Sequence, residues 1–133
     1  MAVKRMAVSM IEIDDKPGSL QEVLAGASVS NTNILQMAGF SVGGGKGAAY
    51  LVPDRPGALK DYAMSKGLAL KEYTGFLLDG ADRIGLGADV TKRLADAGIN
   101  IVLSTATVVG GEYYLLIATE PADEDAAAAV LGA

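Results

Sequence analysis

The sequence contains no cysteine and no histidine. Without cysteine there is no disulfide, no thiol nucleophile and no thiolate to hold zinc. Without histidine the usual neutral-pH general base and the commonest metal ligand are missing too. Any catalysis would fall to Asp, Lys or Tyr, and no convergent set of these stands out, so the chain is not expected to be an enzyme. Basic runs are equally scarce. Lys4-Arg5 and Lys92-Arg93 are the only ones, and the net charge is -5 with a pI of 4.6, which argues against nucleic acid as a partner. The longest uncharged stretch near the end, residues 97–111, is too short to cross a bilayer, so no membrane partner is expected. The apolar run after Lys4-Arg5 is cut by Glu12 and followed by no small-residue cleavage site. A secretory signal is therefore not expected, and a cytoplasmic protein is.

What the chain does have is core-forming material: half of its 133 residues are hydrophobic and 20% are charged. Residues 7–13 alternate like a half-buried strand, with Val8, Met10 and Glu12 on one face and Ala7, Ser9, Ile11 and Ile13 on the other. After a turn, Leu20, Val23, Leu24 and Ala27 fall at the i, i+3, i+4, i+7 spacing of one helix face. Asn31-Thr32-Asn33 ends that helix, and residues 34–42 read as a second strand. The turn at residues 43–47 pairs it antiparallel with a third strand at 48–52. Asp54-Arg55-Pro56 opens a second helix with Leu59, Tyr62 and Ala63 inward, Gly67 follows its last turn, and residues 68–73 make a fourth strand. The order is βαββαβ.

The second half repeats the first. Asp15-Lys16-Pro17-Gly18 matches Asp82-Arg83-Ile84-Gly85 and Asn33-Ile34 matches Asn100-Ile101, each 67 positions on (82 − 15 and 100 − 33). The same offset takes Val23 to Val90 and Gly43-Gly44 to Gly110-Gly111, too many matches in one register for chance spacing. Repeat one is assigned to residues 1–73 and repeat two to 74–133. Repeat two has its first strand at 74–79, a helix at 88–97, a hairpin of strands 100–109 and 112–119, and a last helix from Pro121. It stops before a fourth strand, so its missing edge must be open, covered or completed by another segment.

The chemistry centres on residues 13–20, where strand becomes helix. A helix start carries unpaired N–H groups and partial positive charge, which suit a carboxylate; Asp15 or Ser19 acting only as a cap is the competing reading. Gly43-Gly44-Gly45-Lys46-Gly47 is a hairpin turn and not a phosphate loop, because Phe40 stands where the first glycine belongs, Gly47 where Ser or Thr belongs, and a strand follows. Gly85-Leu86-Gly87 lacks the third glycine of a dinucleotide fingerprint. Glu12, Asp14 and Asp15 read as a solvated rim and not as a calcium or magnesium site, and no metal or cofactor is expected. Asp54-Arg55-Pro56-Gly57-Ala58-Leu59 imitates the first turn, and a domain boundary before Arg55 would overturn the 67-residue register.

An Asp-x-Pro-Gly-x-Leu turn after the first strand, Asn-Ile at the start of the second, and a βαββαβ order together resemble the ACT domain, a small-molecule regulatory module of amino-acid metabolism. The resemblance covers nearly the whole chain as two copies. It implies an α+β fold of two tandem ferredoxin-like βαββαβ (ACT) units, antiparallel sheets with helices on one face, the second unit truncated after its last helix. It also implies an amino acid bound where the first turn of one copy faces the second strand of a neighbouring copy. Carried onto this sequence, that site would use Asp15, Pro17, Gly18, Ser19, Leu20, Asn33 and Ile34, with Asp82, Ile84, Gly85, Asn100 and Ile101 as the second set. The α-carboxylate would meet the helix N-terminus, and Asp15 or carbonyls near Asn33 the ammonium. Repeat two has Ile84 for the usual Pro and Gly87 for the usual Leu, so the first turn is expected to be the better site. The resemblance implies a stand-alone sensor of amino-acid metabolism, a homodimer through sheet-edge or helix-face contacts, with a metabolic enzyme as a further partner. The rival reading is an interaction module that dimerises or docks on such an enzyme without binding a small molecule.

Overall fold

The computed structural model describes residues 1–133. In chain order the elements are β1 (Ala2–Asp14), α1 (Ser19–Val29), β2 (Ile34–Gly43), β3 (Lys46–Pro53), α2 (Pro56–Ser65), β4 (Leu70–Ala81), α3 (Leu86–Asp96), β5 (Leu103–Val109), β6 (Glu112–Thr119) and α4 (Glu124–Leu131), the last preceded by a 3-10 turn at Pro121–Asp123. They form two compact units. The first is Ala7–Glu72, and the second joins Met1–Met6 to Tyr73–Ala133.

In the first unit the strand order is β2-β3-β1-β4, with β1 contributing its residues from Ala7 onward and β4 its residues up to Glu72. β1 and β2 both pair antiparallel with β3. The helices cover one face. Val23 and Ala27 of α1 and Leu59 and Ala63 of α2 pack on Ile11, Ala49 and Leu51 of the sheet. Each fully buried Leu, Ile or Val here contributes about 1.5–3 kcal/mol by leaving water. Gly26 is required where the helices meet, since a Cβ there would collide with the ring of Tyr62, whose hydroxyl donates to the Glu22 carbonyl at 3.2 Å. α1 ends on Asn31 in the left-handed region, φ +52°, a conformation that asparagine tolerates better than most residues. Arg55 lies inside this unit, with no boundary before it.

The second unit reproduces this plan with the order β5-β6-β4-β1. Phe76 and Leu78 of β4 and Leu115 and Ile117 of β6 face Leu86, Val90 and Leu94 of α3 and Ala127, Ala128 and Leu131 of α4. The strand that repeat two lacks after α4 is supplied from the other end of the chain by Met1–Met6. Val3 packs on the core, Arg5 Nη1 lies 3.3 Å from Glu124 Oε1, and the Met1 backbone closes on Gly80. Three expectations are therefore corrected. The first strand starts at Ala2 and not near residue 7, because its early residues have a second core to bury against. Strands expected at 68–73 and 74–79 are one strand, β4. β5 starts at Leu103, so Asn100 and Ile101 precede it and only Val102 reaches back, its N–H donating to the Ala118 carbonyl at 2.8 Å.

A fourth correction concerns register. The two-residue hairpin turns are Gly44-Gly45, between Gly43 and Lys46, and Gly110-Gly111, between Val109 and Glu112. These pairs differ by 66 positions, not 67 (110 − 44). The lost position is a bulge: pairing steps from Ser41↔Gly47 directly to Gly43↔Lys46, leaving Val42 extra, whereas β5 and β6 pair without a break. Beyond the hairpin, equivalent residues of β3 and β6 are 66 apart, so Gly47 corresponds to Tyr113 and Leu51 to Ile117.

Candidate ligand-binding turns

The first turn is built by backbone bonds that bind it to the neighbouring hairpin. The Asp15 N–H donates to the Gly45 carbonyl at 2.9 Å, and the Lys16 and Ser19 N–H groups donate to the Asp14 and Lys16 carbonyls. Gly18 sits at φ +89°, in the left-handed region, as the residue before α1, and no side chain caps the helix. The capping reading of Asp15 and Ser19 is thereby overturned: first-turn N–H groups of α1 are left without a side-chain acceptor. Asp15 instead uses its carboxylate across the sheet edge, where Ser41 Oγ donates to Asp15 Oδ2 at 2.6 Å. Ser19 is buried, Pro17 and Gly18 are exposed, and the side chain of Leu20 lies over Gly39 of β2.

Between these groups is a cavity of about 190 Å³ lined by Asp15, Ser19, Leu20, Gly39, Phe40 and Ser41, among others. Beside it Lys46 Nζ lies 3.0 Å from Asp14 Oδ1. The hydrogen bond and charge of Lys46 hold the Asp14 carboxyl below its usual range, and Asp14 in turn raises the ammonium of Lys46. Glu12, Asp14 and Asp15 do not converge into a cluster able to hold a metal ion.

Asn33 and Ile34 are not at this cavity. They stand at the opposite end of β2 from Ser41, seven residues away, or roughly 23 Å at about 3.3 Å per residue. The Asn33 N–H donates to Asp54 Oδ1 at 2.8 Å, and the Asn33 carbonyl accepts from the Asp54 N–H at 2.9 Å. This reciprocal clamp fixes the start of β2 to the end of β3 and makes Asp54 a structural partner of Asn33. Arg55 Nη1 donates to the Asn31 carbonyl at 3.4 Å, completing the rim of a second, shallower cavity of about 530 Å³.

The second turn repeats the backbone and changes the side chains. The Asp82 N–H donates to the Gly111 carbonyl at 2.9 Å, and Gly85 takes φ +85° before α3. Val108 replaces Ser41, so no hydroxyl holds the Asp82 carboxylate, and Ala81 and Glu112 stand in place of Asp14 and Lys46. Arg83 turns onto its own helix, with Nη2 2.7 Å from Asp89 Oδ2. Ile84 is fully exposed. Tyr113 lies against the first turn of α3, where a Cβ on Gly87 would come within 2.7 Å of its hydroxyl oxygen. Asn100 and Ile101 border a separate cavity of about 460 Å³ with Thr91 and Lys92.

Sequence reasoning missed Ser41, Gly39 and Phe40, because a ten-residue strand offers no sign of which residues meet a turn 26 positions earlier. It noted Gly87 but not its partner Tyr113. The signal was there, since Gly47 and Tyr113 change in the opposite sense to Leu20 and Gly87, but it shows only in the 66-residue register that the bulge creates.

No protein-family model matches the chain, and no curated protein matches it in sequence. Solved structures do resemble it. Protein BT0572 from Bacteroides thetaiotaomicron superposes with a TM-score of 0.80 at 17% identity, covering 98% of this chain and 88% of that one. The ligand-free regulatory subunit of aspartate kinase from Thermus thermophilus gives 0.68 at 14% identity, covering 98% and 93%. The corresponding subunit from Thermus flavus gives 0.62 at 15% identity, covering 98% and 94%. One βαββαβ unit and a second, βαββα, unit whose remaining strand comes from Met1–Met6 give this chain the tandem ACT fold seen in the aspartate kinase regulatory subunits.

Proposed function

We propose that this chain is a non-catalytic, cytoplasmic regulator that binds an amino acid at the Asp15 turn and acts as a sensor in amino-acid metabolism. The observation that carries the reading is the Asp15–Ser41 bond beside the uncapped start of α1, over a cavity of about 190 Å³. That volume equals about six waters in the liquid, the scale of a small amino acid. Asp15 has one carboxylate oxygen engaged by Ser41 and another to receive an ammonium group. The N–H groups of α1 suit the α-carboxylate, an attraction of about 0.3–1 kcal/mol at an exposed helix end and up to about 2 where partly buried.

The remaining ligand groups come from a second copy. β2 is an edge strand with no charged residue and no proline, and Leu35, Met37, Phe40 and Val42 along it are exposed. Such an edge is unprotected against pairing. Antiparallel pairing of β2 with its own two-fold copy sets the Asn33-Ile34 end of one strand beside the Ser41 end of the other, which closes the 23 Å gap within one chain. Solved neighbours are regulatory subunits of aspartate kinase, which supports a role in controlling a metabolic enzyme.

The same edge favours the second reading, an interaction module that dimerises or docks on an enzyme without a small molecule. The gap after α4 no longer supports it, because Met1–Met6 fills that place. Thermal unfolding of the full chain against each proteinogenic amino acid at millimolar concentration, with sedimentation in parallel, separates the two. A bound amino acid raises the melting temperature by mass action. A dimer that responds to none of them refutes the sensor reading and leaves the interaction module.

A further inference from the structure

We propose that Tyr113 is a resident occupant of the second turn, closing it to ligand, so that each chain carries one amino-acid site and not two. The inference rests on the amino-acid reading of the first turn and deepens it. In the first unit Ile13 pairs with Gly47, and the side chains of Ile13 and Leu20 border the cavity from two sides. Gly47 and Gly39 leave room for them, since added Cβ atoms would lie 3.2 Å from Ile13 and 3.3 Å from Leu20. In the second unit three of these four positions are inverted, and Ala106 stands at the place of Gly39. Gly80 stands at the place of Ile13, Gly87 at that of Leu20, and Tyr113, which pairs with Gly80, at that of Gly47. One tyrosine side chain has as many heavy atoms as the isoleucine and leucine side chains together. The difference lies in shape: two separate aliphatic groups leave a space between them, whereas a rigid ring crosses it.

The ring also ends in a polar atom at the sensitive place. A Cβ on Gly87 would lie 2.7 Å from the Tyr113 hydroxyl oxygen, so one of the two would have to shift, which puts the hydroxyl against the first turn of α3, where a ligand carboxylate would bind in the first unit. The surrounding changes agree with a closed turn. Val108 removes the hydroxyl that would hold Asp82, and Glu112 brings negative charge where the first unit has Lys46. A chain selected only for good packing has no reason to carry Val108, Glu112 and Tyr113 together where the first unit has Ser41, Lys46 and Gly47. Loss of binding explains all of them at once.

The test is stoichiometry by equilibrium dialysis of the full chain against the twenty proteinogenic amino acids, each at millimolar concentration. Three proteins are compared: wild type, Tyr113→Ala with Val108→Ser, and Tyr113→Phe, whose ring still fills the space. The expected result is one molecule per chain for wild type and Tyr113→Phe and two for the double variant. Two per chain in wild type, or one in a folded double variant, overturns the occupant while the Asp15 site stands. No binding by wild type with one molecule on the double variant supports the occupant and refutes the Asp15 site. No binding by any of the three overturns both. Should the double variant fail to fold, the converse triple Ile13→Gly, Leu20→Gly, Gly47→Tyr decides: it is expected to bind none, and retained binding overturns the proposal.

Discussion

The Asp15 and Asp82 turns share a backbone and differ in almost everything that meets solvent. Both are tied to the adjacent hairpin by an Asp N–H, and both enter their helix through a left-handed glycine. Yet the first borders a cavity with Asp14, Asp15 and Ser41, beside the Asp14–Lys46 pair, while the second has Ile84, Val108 and Glu112 at the corresponding positions and Tyr113 against Gly87. Backbone geometry at such a turn is what the fold requires, and it persists in either unit whether or not a ligand binds. Side chains are what binding an amino acid would require, and it is in these that the two turns differ.

The sharpest way to break that contrast is to remove each aspartate in turn. Asp15→Asn should weaken binding of the amino acid by roughly 10–100-fold, the loss of a charge-assisted hydrogen bond of about 1.5–3 kcal/mol. Asp82→Asn should leave binding unchanged. Titration calorimetry on both variants checks this, and equal losses at the two turns would end the distinction between them.

Where the turns are alike, they should respond alike. Gly18→Ala and Gly85→Ala meet no neighbour within 4 Å, so each costs only the strain of a left-handed backbone, about 1–2 kcal/mol, read from urea unfolding. Their effect on ligand should still differ, because only the first stands beside the Asp15–Ser41 pair. A loss at Gly18 far above 2 kcal/mol would mean that its glycine answers to packing.

The fold was legible in the residues because periodicity and turn glycines act locally. Leu20, Val23 and Ala27 declare a helix, and Gly44-Gly45 and Gly110-Gly111 declare hairpins, without reference to anything distant. What stayed hidden depends on distant partners. Nothing in Met1–Met6 announces that it will complete the sheet of a unit that begins at Tyr73, and nothing in Val42 announces a bulge. The candidate site suffers for the same reason. Asp15 and Asn33 both look like ligand residues, but which of them share a cavity is set by strand direction, and that direction separates them within one chain.

The cores differ as well, and the difference can be measured. Ser9 and Phe76 are equivalent, each paired with the residue that faces the helices, Leu51 in one case and Ile117 in the other. Phe76 fills its core, whereas Ser9 is completely buried with a hydroxyl that has no hydrogen-bond partner. Ser9→Ala should therefore stabilise the chain by about 1 kcal/mol, because removing an unsatisfied polar group relieves its desolvation. Phe76→Ala should do the reverse.

The smallest effect expected is at the pair that only the first unit possesses. Asp14 and Lys46 are both well exposed, so their attraction is screened and worth little, and its signature is dependence on pH and salt. The Asp14 carboxyl is lowered by the Lys46 hydrogen bond and charge, so its contribution is present above the unfolded carboxyl range and lost as pH falls through the lowered value. The Lys46 ammonium is raised by Asp14, so its contribution is present below the unfolded lysine range and lost as pH rises through the raised value. Between these limits the pair is intact, and Asp14→Asn should flatten both shoulders of the melting-temperature profile while scarcely moving its plateau. Replacing Ala81 by Asp alone should not create such shoulders in the second unit, since Glu112 across the pair repels the new charge. Ala81→Asp with Glu112→Lys should create them, and failure of that double replacement would show that the contrast between the turns lies in the backbone after all.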